Sequence, residues 1–252
     1  MRTTLQNSCC GFLALAVLAA MLPTRLNAQQ TGGTVHHREI RLQDSRLHPY
    51  ILITPAVSQT NRCPLFVFLH GQCAPLEEVL TSHESTLKRQ NCYILLPQAP
   101  DDCGDGGYSW YDKSNLKTLE TGLERDERLL KEMISDLTRV ENVDPAKVTL
   151  CGFSSGARVA FFVGFRNPRM FSEIVPISGF YMPQLLDPLI GDLNGLKVSI
   201  YHGTQDDVNP FRDMQRAYQH LRDRGVRVTL TTYPLGHRCP DEILGRILDN
   251  VR

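Results

Sequence analysis

The chain has 252 residues, of which 42% are hydrophobic and 21% charged, and this is enough apolar material for one domain with a substantial core. The 27 basic and 27 acidic residues give a formal net charge of +0, and no basic cluster interleaves with aromatic residues. This balance excludes the electrostatic signature of a nucleic-acid-binding protein, so no nucleic-acid partner is expected.

The first 28 residues have the pattern of a secretory signal peptide. Arg2 provides a positive start, residues 11–22 form a short apolar run, and Asn27-Ala28 offers a cleavage site. The run is short for a membrane span, although an uncleaved membrane anchor is an alternative. We therefore expect an exported protein, periplasmic or extracellular, with no membrane span after cleavage and with residues 29–252 forming a single domain.

Strand-like and helix-like segments alternate along the rest of the chain. Two β-prone runs around the polar turn 43–45 predict a hairpin over 36–55. Apolar runs and amphipathic periodicity then predict strands at 63–71, 92–100, 147–150, 172–179, 196–203 and 226–234, and helices at 75–90, 119–140, 155–166, 211–224 and 240–251. Residues 101–115 are expected to form a loop, and 180–195 a loop or small lid. The alternation predicts an α/β fold with a mostly parallel central sheet, an antiparallel N-terminal hairpin at one edge, and helices on both faces.

Six of the eight cysteines lie beyond the predicted signal peptide. An even number of cysteines in an exported chain predicts disulfide bonds, and no two of these six form the C-x-x-C of a zinc or redox site. Cys73, Cys103 and Cys239 fall on predicted loops at one end of the sheet, whereas Cys63 and Cys92 precede neighbouring predicted strands. Each group is a candidate for a disulfide, and the pairing stays open.

Residues 152–156 read G-F-S-S-G between a predicted strand and a predicted helix. In that setting G-x-S-x-G is typical of a nucleophile elbow, a tight turn that lifts the serine hydroxyl above the sheet at the N-terminus of a helix. Five letters alone are a weak signal, because glycine and serine are common in turns, and the strand–turn–helix context makes the signal stronger. We predict that Ser154 is a catalytic nucleophile.

A serine nucleophile needs a general base and an orienting carboxylate, which in such folds follow in the order acid, then histidine. His237 follows the last predicted strand, and Asp206 and Asp207 follow the strand before it. Both positions are at carboxyl ends of strands, where open parallel sheets place their sites. The choice between the two aspartates stays open on spacing alone. His70 and His202 precede glycines at strand ends and are expected to shape turns.

Ester hydrolysis also needs N–H donors for the oxyanion. The backbone N–H of Ser155, next to the nucleophile, is one candidate, and that of Gln72, in the turn after the strand at 63–71, is the other. Gly71 also fits an ordinary strand-ending turn, so the assignment of Gln72 depends on the fold.

Six segments taken together resemble the α/β-hydrolase superfamily, and within it the phospholipase/carboxylesterase and dienelactone-hydrolase-like group that includes the acyl-protein thioesterases. They are F-L-H-G, L-P-Q-A-P, W-Y-D, G-F-S-S-G-A, H-G-T-Q-D-D-V-N-P and G-H-R-C-P-D-E, in the order and spacing of that group, and the likeness covers 65–251. The resemblance implies a Ser154, Asp206, His237 triad and ester hydrolysis without a metal or other cofactor. It also places Trp110 and Tyr111 beside the acyl pocket as substrate-binding residues, the alternative being a buried aromatic that anchors the loop.

The chain departs from this group at several positions. Ser155 stands where the thioesterases usually carry glutamine, Asn209 replaces a residue that is often hydrophobic, and H-G-Q-C-A replaces H-G-x-G-D. Dienelactone hydrolase itself uses a cysteine where this chain has Ser154. The sequence therefore predicts an exported serine hydrolase acting on small-molecule or polymer-linked carboxylic esters. A serine peptidase or thioesterase on the same fold, and a catalytically silent secreted binding protein, are the alternatives, and the oligomeric state stays open.

Overall fold

The computed structural model describes residues 32–57, 61–111, 115–193 and 195–251, and its central feature is an eight-stranded sheet. The strands of this sheet are β1 (Val35–Arg41), β2 (Leu47–Ile53), β3 (Cys63–Leu69), β4 (Tyr93–Pro97), β7 (Val143–Phe153), β8 (Glu173–Ile177), β9 (Lys197–Gly203) and β10 (Val228–Tyr233); β5 (Asp101–Gly104) and β6 (Gly107–Ser109) pair separately. The helices are α1 (Leu76–Lys88), α2 (Leu116–Val140), α3 (Ser155–Arg166), α4 (Pro183–Leu186), α5 (Phe211–Asp223) and α6 (Asp241–Leu248), with a short 3₁₀ segment at Asp187–Asp192. The predicted signal peptide, 1–28, lies outside the described residues.

The strand order is β1-β2-β4-β3-β7-β8-β9-β10. The pairs β1–β2 and β2–β4 are antiparallel, and every pair from β4 to β10 is parallel. This confirms the predicted fold class, including the antiparallel hairpin at one edge. The order in which the chain adds parallel strands changes direction between β3 and β7, with β4 on one side and β8 on the other. These two strands pair from Leu65 opposite Val148 to Leu69 opposite Gly152. Ligands of open α/β sheets bind at the carboxyl ends of the strands beside such a reversal.

Side chains of the central strands alternate between two buried layers. Leu65 and Val67 of β3 belong to the cluster that α2, α3 and α5 cover, whereas Phe66 and Phe68 belong to the cluster under α1 and α6. This alternation is the two-residue period of the strand, and it explains why β3 reads as a continuous apolar run. Burying one leucine or phenylalanine side chain completely stabilises the folded state by about 1.5–3 kcal/mol relative to leaving it exposed. The two layers therefore fix the orientation of the residues that follow each strand.

The loop predicted over 101–115 contains structure that the sequence interpretation missed. Its first part folds into the β5–β6 hairpin, whose turn at Asp105 and Gly106 has positive φ at both residues. Asp-Gly is a favoured pair for such a turn, but the strands beside it are too short to give an alternating pattern. Helix α2 then begins at Leu116, because Asn115 and Thr118 form a reciprocal capping box at its start.

The segment predicted as a loop or small lid over 180–195 contains α4 and the 3₁₀ segment. Its Leu186, Ile190 and Leu193 are buried in the same cluster as α3. This segment is therefore packed against the domain in the described structure. No helix among the described residues is long and apolar enough to cross a membrane.

Candidate active site

Ser154 occupies the turn between β7 and α3. Its φ of 55° and ψ of −111° lie outside the regions that an L-residue favours, and its backbone N–H donates to the Ile177 carbonyl at 3.0 Å. A Cβ atom at Gly152 would overlap the Gly156 carbonyl, and one at Gly156 would overlap the Leu69 carbonyl. Both glycines of G-F-S-S-G are therefore required by close backbone approach, which explains the spacing of the motif.

His237 lies beside Ser154, on the loop after β10. The Ser154 hydroxyl donates to His237 Nε2 at 2.9 Å. The imidazole ring also packs against Phe153, with 5.0 Å between the ring centroids. The histidine ring is thus held in hydrogen-bond contact with the serine hydroxyl, in a geometry suited to accepting its proton.

Asp206, on the turn after β9, is the carboxylate that meets this histidine. His237 Nδ1–H donates to Asp206 Oδ2 at 2.9 Å, with Oδ1 at 3.1 Å. Oδ1 also accepts the backbone N–H groups of Val208 at 3.0 Å and Asn209 at 2.8 Å. Asp206 is only 6% exposed, whereas Asp207 is exposed. The structure therefore brings Ser154, His237 and Asp206 into one hydrogen-bonded chain and leaves Asp207 outside it.

His202 lies behind this chain, at the end of β9. It is wholly buried, its Nε2–H donates to the Asn209 carbonyl at 2.8 Å, and the same nitrogen is 3.4 Å from Asp206 Oδ2. Its Nδ1 has no hydrogen-bond partner among the described residues. Burial lowers the pKa of His202, so the ring is neutral and supports the Asp206 loop.

The turn after β3 lies directly against the nucleophile. A Cβ atom at Gly71 would be 3.7 Å from the Ser154 Cβ, and Gln72 is the next residue of this turn. His70 fixes its conformation: the Ala99 N–H donates to His70 Nε2 at 3.1 Å, and Nδ1–H donates to the Gly71 carbonyl at 2.7 Å. Burial lowers the pKa of His70 to about 4, so the neutral ring holds the turn at physiological pH.

The second predicted N–H donor, Ser155, is the first residue of α3 and is buried. A backbone N–H in the first turn of a helix has no partner within the helix, and it lies at the positive end of the helix dipole. Both predicted donor residues, Ser155 and Gln72, therefore flank the nucleophile.

The position of Trp110 in the structure favours the alternative given for it, a buried aromatic that anchors the loop. Its side chain is wholly buried, its Nε1–H donates to the His70 carbonyl at 2.9 Å, and its ring packs on the His70 imidazole with centroids 5.2 Å apart. Trp110 thus anchors the turn from inside the core. Tyr111 is 4% exposed, and its hydroxyl is buried with no hydrogen-bond partner among the described residues. Asp112, the third residue of W-Y-D, lies outside the described residues.

A disulfide between Cys73 and Cys103 joins this same turn to the β5–β6 hairpin. Both cysteines belong to the set Cys73, Cys103 and Cys239, which the sequence places on loops at one end of the sheet. The other candidate pair is not formed, since Cys63 and Cys92 are both free and buried, and Cys239 is also free. One disulfide therefore braces the turn beside Ser154.

A cavity of about 790 Å³ opens over Ser154 and His237, between the turn at Gly71 and Gln72 and helix α1. A larger cavity of about 950 Å³ lies at the other end of α3, around Arg166, and contains none of the residues described above. The smaller cavity is therefore the one that gives access to the Ser154 and His237 side chains.

Sequence and structure comparisons identify the family. The sequence model described as Phospholipase/Carboxylesterase matches residues 55–252. The chain belongs to this family. The chain is 24% identical over 170 residues to "Acyl-protein thioesterase 1 homolog 2" of Dictyostelium discoideum, covering 60% of this chain and 73% of that protein. The predicted resemblance and the predicted class, a serine hydrolase of the carboxylesterase type, are thereby confirmed.

Solved structures agree with the fold. Esterase PE8 is 24% identical, with a TM-score of 0.65, covering 80% of this chain and 97% of its own. The carboxylesterase from Mesorhizobium loti is 15% identical, with a TM-score of 0.67, covering 84% of this chain and 97% of its own. At these identities the likeness shows the α/β-hydrolase fold.

Two residues near the nucleophile were not singled out from the sequence. Arg158 lies on α3, one turn beyond Ser154, and Phe180 follows β8. The sequence signal for Arg158 is that it is the only charged residue in the otherwise apolar stretch from 156 to 165.

Proposed function

We propose that this protein is an exported esterase that hydrolyses carboxylic esters through a covalent acyl-enzyme on Ser154. The observation that carries the proposal is the hydrogen-bonded chain Ser154–His237–Asp206, with 2.9 Å at each link. In this chain one histidine nitrogen faces the nucleophile and the other faces a buried carboxylate, which is the arrangement of a catalytic triad.

In the first half of the reaction, Ser154 Oγ attacks the ester carbonyl carbon while His237 Nε2 takes the serine proton. Asp206 keeps the proton of the neutral ring on Nδ1 and stabilises the imidazolium that forms. The tetrahedral intermediate then collapses, the C–O bond to the alcohol breaks, and His237 returns the proton to the departing alcohol oxygen. In the second half a water molecule attacks the acyl-enzyme by the same route and releases the acid.

The negative charge on the tetrahedral oxygen needs fixed donors. The backbone N–H groups of Ser155 and Gln72 are proposed for this role, because one begins a helix and the other lies in the turn held against Ser154. Such donors are effective when they need not reorganise during the reaction. His70, Trp110 and the Cys73–Cys103 disulfide all restrain this turn, which supports the assignment.

Export is proposed from the sequence pattern of residues 1–28. The Cys73–Cys103 disulfide agrees with this, since such bonds persist mainly in oxidising compartments. Mass spectrometry of the protein recovered from its native host tests the proposal. A mature N-terminus near residue 29 supports it, and an intact residue 1 in a cytosolic fraction contradicts it.

The catalytic proposal is tested with p-nitrophenyl esters from acetate to palmitate, using the wild type and Ser154→Ala. We expect turnover to fall on the order of 10⁶-fold in the variant. The matched control is Ser135→Ala, which removes an exposed serine on α2 and should leave turnover unchanged. A fluorophosphonate probe gives an independent readout, because it forms an Oγ–P bond at an activated serine with loss of fluoride. Labelling at a residue other than Ser154, or wild-type turnover in Ser154→Ala, would refute the assignment.

The chain-length profile separates an esterase from its nearest alternative. Turnover that falls with acyl length indicates a short-chain esterase. A maximum at long chains, repeated with acyl thioesters, would favour a thioesterase like the Dictyostelium relative.

A further inference from the structure

Arg158 lies on α3 with its guanidinium between two aromatic rings. Its Cζ is 5.7 Å from the centroid of Tyr111 and 5.3 Å from that of Phe180. Arginine stacked between aromatic faces is restrained in orientation, while the edge of its planar guanidinium remains available for bidentate hydrogen bonds. Phe180 is 37% exposed, so one wall of this arrangement faces solvent.

No internal anion neutralises this cation among the described residues. No described carboxylate lies within ion-pair distance of the Arg158 guanidinium, and its buried Nε has no hydrogen-bond partner there. Asp126, which acts electrostatically on Tyr111, is instead paired with Arg125 at 2.9 Å. A half-buried charge that the described residues leave unpaired costs free energy unless another group or a ligand compensates it.

Tyr111 adds a second polar group at the same place. Its buried hydroxyl has no well-formed hydrogen bond among the described residues, and it interacts with the Arg158 guanidinium, which lies over its ring. Burial raises the pKa of Tyr111 to about 12, so the hydroxyl keeps its proton. A guanidinium and a neutral phenol together make a site that donates hydrogen bonds and matches an anion with several acceptor oxygens.

This site lies one helical turn from the nucleophile. Arg158 follows Ser154 by four residues on α3, and helical side chains lean towards the N-terminus, here towards Ser154. The segment that carries Phe180 is held close, since Gly179 packs against Ala157. His237 must return a proton to the alcohol oxygen, so the alcohol occupies the cavity that His237 lines. Arg158 does not line that cavity, and we therefore assign it to the acyl half of the substrate.

We propose that Arg158 and the Tyr111 hydroxyl bind a carboxylate carried by the acyl group, so that the preferred substrates are half-esters of dicarboxylic acids. The inference rests on the proposed ester hydrolysis at Ser154 and specifies its substrate class. It differs from a hydrophobic acyl pocket, which gains nothing from a cation at this position.

The test compares esters that differ in where the charge lies. Monoethyl succinate, glutarate and adipate place a carboxylate at three distances along the acyl chain, and ethyl pentanoate is an uncharged counterpart. O-butyrylglycolate carries its carboxylate in the alcohol half instead. Acid release is followed in a pH-stat, which reads all five substrates directly. We expect at least one half-ester to be hydrolysed with a kcat/KM on the order of 10- to 100-fold above that of ethyl pentanoate.

Two variants test whether Arg158 causes a preference for half-esters. Arg158→Met keeps much of the side-chain volume and should remove the preference while leaving kcat/KM for ethyl pentanoate within about threefold of the wild type. Arg158→Lys keeps the charge without the bidentate fork and should retain part of the preference. The matched control is Arg222→Met, which removes an arginine stacked on Tyr218 in helix α5 and should leave the preference intact.

Each other outcome overturns the proposal. Equal rates on charged and uncharged acyl groups in the wild type exclude an acyl carboxylate site. A preference for O-butyrylglycolate places the anion site on the alcohol side. Equal losses on all esters in Arg158→Met show a structural role. Hydrolysis of ethyl pentanoate that depends on Ser154 keeps the proposed function valid in all three cases, whereas no Ser154-dependent turnover on any ester refutes both.

Discussion

Acid is expected to destabilise this protein through a buried histidine that takes no part in proton transfer. His70 holds the turn beside the nucleophile by accepting from the Ala99 N–H and donating to the Gly71 carbonyl. A second proton would have to be placed on Nε2, where it would face another N–H donor. The protonated ring is therefore incompatible with the folded turn, and burial lowers its pKa from 6.5 to about 4.

The magnitude follows from the difference between the folded and unfolded states. Because the pKa is lower in the folded state, the unfolded chain binds more protons between these two values, and stability is lost as pH falls through that window. For a shift from 6.5 to about 4, going from pH 7 to pH 5 lowers the free energy of unfolding by about 2 kcal/mol through His70 alone. The loss approaches about 3 kcal/mol at pH 4.

Urea unfolding of the wild type and His70→Gln at intervals from pH 5 to pH 8 measures this contribution. Glutamine can accept from Ala99 N–H but does not titrate, and loss of the bond to Gly71 should make the variant about 1–3 kcal/mol less stable at pH 7. The difference between the two proteins should shrink by about 2 kcal/mol at pH 5. His202 titrates in both proteins, so the difference isolates His70, and His37→Gln is the control for an exposed ring. A difference that stays constant with pH would refute the reasoning.

Two further predictions concern the aspartates and the disulfide. Asp206→Asn should lower kcat on the order of 10⁴-fold, because an amide no longer favours the productive histidine tautomer. Asp207→Asn should leave kcat within about twofold of the wild type. Equal effects of the two variants in steady-state assays would contradict the assignment of Asp206. Replacing Cys73 and Cys103 by serine opens a loop with a sequence separation of 30 residues. It should lower the free energy of unfolding by about 3–4 kcal/mol on chain entropy, and a thermal midpoint equal to that of the oxidised wild type would contradict this.

The elements that the sequence predicts well are those with local causes. The elbow is encoded by Gly152 and Gly156, whose missing side chains allow contacts with Gly156 and Leu69 carbonyls, and the helix from Ser155 to Arg166 follows from it. The apolar run of β3 similarly predicts a strand buried on both faces. In each case the residues that determine the structure lie within the segment itself.

The features that the sequence pattern left open or did not reveal depend on how separate loops meet. A tryptophan in W-Y-D is compatible with a pocket or a core, and only the position of the His70 carbonyl places it in the core. Neighbouring aspartates are equivalent in sequence, and the backbone N–H groups of Val208 and Asn209 select Asp206. The environment of Arg158 is formed by Tyr111 and Phe180, which are distant from each other in sequence.

Three histidines at the carboxyl end of the sheet show how environment distinguishes two structural rings from the proposed general base. Nε2 of His70 already accepts an N–H, and Nε2–H of His202 donates to a carbonyl inside the core, so neither ring has a reacting group to exchange a proton with. Of the three rings, His237 is the one that joins a carboxylate at Nδ1 to a hydroxyl at Nε2, and that hydroxyl belongs to Ser154, which lines the cavity. A second proton on His70 would displace the Ala99 N–H, and one on His202 would leave a buried N–H with no partner among the described residues. Whether a histidine can act as an acid or a base therefore depends on the groups that its two ring nitrogens contact. The residue type alone does not determine those contacts.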